Sequence, residues 1–198
     1  GNANSAYDFD GVDDYIDIGD SSSLDFSDGL AISTWINCDA FSIGKIIEQC
    51  DLNNSWANYQ FVINATGQVQ VGLRINTNTT AYTFSSDVIS VNQWFHITMS
   101  WSSALNSGLC RIYIDGNEVA YQSQNALTSA IGLVTPESTK IGSDIHAPFE
   151  AFDGTIDDIG IWNRALTQCE ISALYYATVL TPPVSALGPD TLSACGAS

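Results

Sequence analysis

Hydrophobic residues in this chain alternate with polar ones far more often than they recur at helical spacing. Over residues 30–37, Leu30, Ile32, Thr34 and Ile36 fall on one face and Ala31, Ser33 and Trp35 on the other. That period of two belongs to a strand in a pleated sheet. Val69, Val71, Leu73 and Ile75 alternate with Gln68, Gln70, Gly72 and Arg74, and Phe95, Ile97, Met99 and Trp101 with His96, Thr98 and Ser100. Shorter strands are predicted at 6–10, 15–18, 41–49, 140–142 and 155–162. Ala65-Thr66-Gly67 joins strands 59–64 and 68–75 as a hairpin. Asp115-Gly116-Asn117 joins 109–114 to 118–122, with residues that tolerate the positive φ of a tight turn.

One helix is predicted. Thr167 and Glu170 have the spacing of a capping box, and Ile171, Leu174 and Tyr175 follow at helical intervals. Thr181-Pro182-Pro183 then ends regular structure. The expected organisation is one domain over 1–178, followed at 179–198 by a linker and the opening strand of a further domain. Many short alternating strands with one small helix give an all-β sandwich of two antiparallel sheets.

Composition narrows the function. Charged residues are 14% of the 198, with 22 acids against 5 bases and a net charge of −17. Five basic residues cannot make the footprint that a nucleic acid needs, so no nucleic-acid partner is expected. No apolar run approaches the roughly 20 residues of a membrane-spanning helix, so no membrane insertion is expected. An acidic, lysine-poor surface suits a secreted or cell-surface setting and a hard cation such as calcium. In that setting Cys38, Cys50, Cys110 and Cys169 are candidates for two disulfides, Cys38 with Cys50 and Cys110 with Cys169. Buried free thiols are the alternative, and connectivity stays open. Cys195 would pair within the following domain.

Five segments in order carry a family resemblance: Phe9-Asp10-Gly11-Val12-Asp13-Asp14-Tyr15-Ile16, Leu30 to Ile36, Gln93 to Trp101, Arg111-Ile112-Tyr113-Ile114-Asp115-Gly116, and Phe152 to Leu166 leading into Glu170-Ile171. Together they resemble the laminin-G-like domain of the concanavalin A-like lectin/glucanase superfamily, across roughly residues 6–177. The resemblance implies a jelly-roll β-sandwich with one concave sheet, in a monomeric module of a larger secreted or surface protein. It implies binding of a polysaccharide or glycoconjugate, or of a surface protein, and one structural calcium ion. By position, the calcium ligands would be Asp10, Asp28, Gly29 and Asp157. The alternative is that these acids cap turns.

A sugar offers C–H faces to aromatic rings and hydroxyl edges to amides and carboxylates. Residues 51–59 combine those groups, so Asn54, Trp56, Asn58 and Tyr59 are candidate ligand contacts. Arg74, Tyr82 and His96 are placed on the same concave sheet. Filling of the sandwich edge is the alternative for Trp56 and Tyr59. Trp35, Trp94, Trp101 and Trp162 are read as core. No strand carries acids at the Glu-x-Asp-x-x-Glu spacing of the related hydrolases, and no nucleophile elbow is present, so no catalysis is expected.

Overall fold

The structure is a computed structural model. It describes residues 6–51, 57–76, 79–132, 137–144 and 150–179. Among the described residues, thirteen strands form two antiparallel sheets. The six-stranded sheet runs, edge to edge, β1 (Tyr7–Asp10), β13 (Asp153–Trp162), β3 (Gly29–Cys38), β8 (Trp94–Ser102), β9 (Arg111–Ile114) and β10 (Asn117–Glu118). The seven-stranded sheet runs β11 (Tyr121–Gln124), β7 (Thr79–Val88), β6 (Gln68–Asn76), β5 (Ala57–Ile63), β4 (Gly44–Asp51), β12 (Glu137–Ile141) and β2 (Ile16–Gly19). Both are antiparallel throughout, as the alternating pattern predicts. The chain repeatedly changes sheets: β1 pairs with β13, but β2, only five residues on, pairs with β12 in the other sheet.

Between the sheets lies one core. Leu30, Ile32 and Ile36 of β3 and Ile97, Met99 and Trp101 of β8 meet Tyr59, Phe61 and Ile63 of β5 and Val69, Val71 and Leu73 of β6. The faces of β3, β6 and β8 are those read from the sequence. At the β9–β10 turn, Asp115 and Gly116 both take positive φ, 50° and 75°, which gives a two-residue hairpin its twist.

Helix α1 (Gln168–Val179) lies on the outer face of the six-stranded sheet. Leu166 and Ile171 pack there with Ala31 and Tyr113. The cap forms as the spacing requires. Glu170 accepts from the Thr167 amide at 2.9 Å and its hydroxyl at 3.0 Å, and the Glu170 amide donates to Thr167 Oγ1 at 3.3 Å. Arg164 donates to both Glu170 oxygens, and this ion pair, before the cap, holds the carboxyl down to about 2. Ser100 Oγ, bonded to the Leu166 amide and carbonyl, straps the approach to the helix onto β8.

The expected disulfides require correction. Cys38, Cys50 and Cys110 are free, buried thiols. β3 and β4 lie in different sheets, and Cys50 stands at the far end of β4 from the connection with β3, so the two cysteines never face each other. Cys110 faces the core, whereas Cys169 is on the helix outside the sheet. Cys169 is disulfide-bonded, though to none of these three; Cys195 and the expected linker lie outside the described residues. Burial pushes the Cys38 thiol up to about 12, with Asp153 and Asp39 adding to the effect, so it stays protonated and inert.

Candidate functional site

The face of the seven-stranded sheet turned away from the core carries a groove of about 490 Å³. Its walls come from β4 to β7 and from Asp144 and Glu150 beside them. At its base is a charged cluster. Lys45 Nζ lies 2.6 Å from Glu48 Oε1, 2.7 Å from Gln60 Oε1 and 3.0 Å from Glu150 Oε2, with Asp144 Oδ2 at 3.9 Å. The Lys45 and Glu48 side chains are only 6% and 3% exposed. Burial works against the Lys45 charge, but the Glu48 and Glu150 carboxylates outweigh it and hold its pKa above the ordinary lysine value.

A backbone irregularity builds this cluster. Residues three apart on a regular strand face opposite sides. The register between β4 and β5 shifts between Lys45 and Ile47, so Ile46 and Ile47 both enter the core and Lys45 and Glu48 both face outward. Glycine at residue 72 makes room for two neighbouring side chains at the floor. A Cβ there would sit 2.7 Å from Gln60 Nε2 and 3.0 Å from Tyr82 Cε1. Gln60 and Tyr82 therefore meet across β6, with Gln60 Nε2 donating to the Tyr82 hydroxyl at 3.4 Å.

Of the ligand contacts expected from sequence, Tyr82 lines this groove. Asn54 and Trp56 lie outside the described residues. Tyr59 is a core residue, 1% exposed, packed on Phe26. Asn58 is fully buried and donates to Gln49 Oε1, whose amide in turn reaches Leu24 O and Asp25. Arg74 is 2% exposed on the outward face of β6 and does not line the groove. Lys45, Glu48, Gln60, Gln70, Asp144 and Glu150 were missed. The alternation of Gln60 and Gln70 with core residues was the available signal for two of them.

His96 is on the other sheet. It is 3% exposed, and its Nε2 lies 2.8 Å from Ser33 Oγ, which accepts from Thr98 Oγ1 at 3.1 Å. Its ring packs 5.3 Å from Trp35 and 5.9 Å from Tyr175 of α1, and those two rings stack at 5.7 Å. Burial lowers the His96 pKa to about 4, so the imidazole is neutral at pH 7. Trp35 and Trp94 are also corrected: they lie on this outer face, and Trp94 is 42% exposed. Trp101 is core as expected.

The four expected calcium positions do not meet. Asp10 pairs with Asp153 beside the Cys38 end of β3, whereas Gly29 begins that strand, about 30 Å away along it. Asp28 accepts from Ser27 Oγ at that far end, and Asp157 pairs mid-strand with Trp35. Asp10 instead gathers Asp13 and Asp14, with one oxygen from each within 4.8 Å of the others. Asp10 Oδ1 also accepts from the Val12 and Asp13 amides at 2.8 and 3.2 Å, and these bonds lower its pKa. Nearby, burial and the charges of Asp39, Asp10 and Asp8 raise the Asp153 pKa. This exposed corner is a hard-oxygen donor set of the kind calcium accepts.

The model of a laminin G family, described as concanavalin A-like lectin/glucanases superfamily, matches residues 10–172. No match is found among curated proteins. Several solved structures share the fold. The carbohydrate-binding module CBM40 of the Ruminococcus gnavus IT-sialidase, bound to α2,3 sialyllactose, has a TM-score of 0.64 at 13% identity, over 82% of this chain and 97% of that one. Domain 4 of the extracellular arabinanase AbnA from Geobacillus stearothermophilus, in complex with arabinotriose, has a TM-score of 0.59 at 19% identity, over 88% and 78%. The binding domain of botulinum neurotoxin DC, in complex with rat synaptotagmin II, has a TM-score of 0.59 at 15% identity, over 82% of this chain and 40% of that one.

Proposed function

The chain belongs to the concanavalin A-like lectin/glucanases superfamily, and from that premise we propose that it is a non-catalytic module that binds carbohydrate in the groove over Gly72. The observation that carries the reading is the Gln60–Tyr82 pair that lies over Gly72 in the groove, with Gln70 alongside. An amide and a phenol present both donors and acceptors to sugar hydroxyls, and a ring face suits their C–H surfaces. Lys45 bridges Glu48 and Glu150, so an ammonium holds the space in which a hydrolase pair would place the glycosidic oxygen and water.

The reading extends to a secreted or surface setting, in keeping with the acidic composition. It places a structural calcium ion at the Asp10–Asp13–Asp14 corner, where it would offset like charges and tie β1 to the turn that follows. A glycan array probed with the wild-type protein and Tyr82→Ala, with and without calcium, tests the function. Hits that weaken at least about tenfold in the variant support it, since one stacked or hydrogen-bonded aromatic contributes on the order of 1–2 kcal/mol. No hit in either condition favours a spacer or protein-interaction module. For the metal, calcium added after chelation is expected to raise the melting temperature, because a ligand of the folded state alone stabilises it. A flat response at millimolar calcium rejects that site.

A further inference from the structure

We infer that the groove selects glycans without acidic groups and rejects sialylated, uronic-acid or sulfated ones, an inference that rests on the carbohydrate reading above. Two observations carry it. The first is that the only cation lining the groove among the described residues is already saturated. An ammonium has three N–H donors, and Lys45 has three oxygens at 3.0 Å or less, from Glu48, Gln60 and Glu150. With its side chain 6% exposed, it has no donor to offer a ligand carboxylate or sulfate.

The second is that the charge which reaches solvent is negative. Among the described residues the groove is lined by three carboxylates, of Glu48, Asp144 and Glu150, against one ammonium. Glu48 is buried, but the Asp144 and Glu150 side chains are 23% and 34% exposed. They bring negative charge to the rim. Gln60, Gln70 and Tyr82 supply neutral partners on the floor. A ligand that enters meets this negative charge, which a neutral sugar tolerates. An acidic sugar brings a charge into a surface of the same sign, on a chain of net charge −17, and like-charge juxtaposition is an effective way to exclude a wrong partner.

The test uses matched pairs of immobilised glycans: each neutral oligosaccharide beside the same oligosaccharide carrying a sialic acid, a uronic acid or a sulfate. Wild-type protein and the double variant Asp144→Asn, Glu150→Gln are compared at two salt concentrations. The neutral member is expected to bind about tenfold more tightly or better, with the ratio shrinking in the variant and at high salt. Equal or tighter binding of the acidic member by wild type overturns the inference while leaving the carbohydrate reading intact. So does a ratio that the double variant does not change, because discrimination would then arise elsewhere. No binding of any glycan overturns the carbohydrate reading itself, and this inference with it.

Discussion

The two sheets each bury a polar centre on the face turned away from the core, and the two centres are built in opposite ways. On the seven-stranded sheet, Lys45 and Glu48 are ion-paired, linked to Gln60 and Glu150, and open upward into a groove. On the six-stranded sheet, Thr98, Ser33 and His96 form a neutral chain of hydrogen bonds, roofed by Trp35 and by Tyr175 of the helix. Burial alone therefore does not mark a binding site here. The sealed centre is anchored by a helix that fills the space a ligand would need. The open centre has fixed charges that organise the groove without capping it. A glycine beneath them gives Gln60 and Tyr82 room to meet across β6.

The largest effect that would break this contrast is removal of the buried cation. Lys45→Met leaves Glu48 without its counter-charge and is expected to cost about 3–5 kcal/mol in urea unfolding. A cost under about 1 kcal/mol would mean that the pair is solvated, unlike the description above. The next is pH. His96 has a folded pKa near 4, below its unfolded value near 6.5, so the unfolded chain takes up the proton first. Stability attributable to His96 is complete above pH 6.5 and falls progressively towards pH 4, by about 3 kcal/mol in all. Comparison with His96→Gln isolates this loss, since the variant lacks the titration. The Lys45 ammonium adds no slope of its own across that window, because its raised pKa keeps it charged.

Removing the roof should matter less. Tyr175→Ala takes away the ring stacked on Trp35 and is expected to cost about 2 kcal/mol without altering glycan binding. A loss of binding in that variant would place the ligand on the wrong sheet. The smallest expected effect is at the helix cap: Thr167→Ala should cost about 1 kcal/mol, read as a shift of the denaturation midpoint with an unchanged slope.

Alternation made the inward faces of β3, β6 and β8 legible, and the Thr167–Glu170 spacing made the start of the helix legible, because both depend on local geometry alone. The groove was only partly legible. The outward run Gln68, Gln70, Gly72, Arg74 and the position of Tyr82 pointed to the right sheet. Lys45 and Glu48 were not visible as a pair, since an unanticipated bulge at Ile46 reverses the face that their spacing implies. Asp144 and Glu150 reach Lys45 from a segment about 100 residues away, a closure set by the fold rather than by local pattern. His96 was assigned to the wrong sheet because alternation gives the face of a strand but not the sheet it joins. The Cys38–Cys50 pairing failed for the same reason: proximity across a turn does not hold when the turn carries the chain from one sheet to the other.

The central claim is that ligand binds on the open centre and not on the sealed one. The most direct measurement is an amide and side-chain NMR titration of the wild-type protein with the strongest neutral hit from the array. The account predicts saturable shifts at Gln60, Gln70, Gly72 and Tyr82, with Trp35, His96 and Tyr175 unmoved. Shifts confined to the Trp35–His96–Tyr175 face, with the Gly72 floor silent, would contradict it.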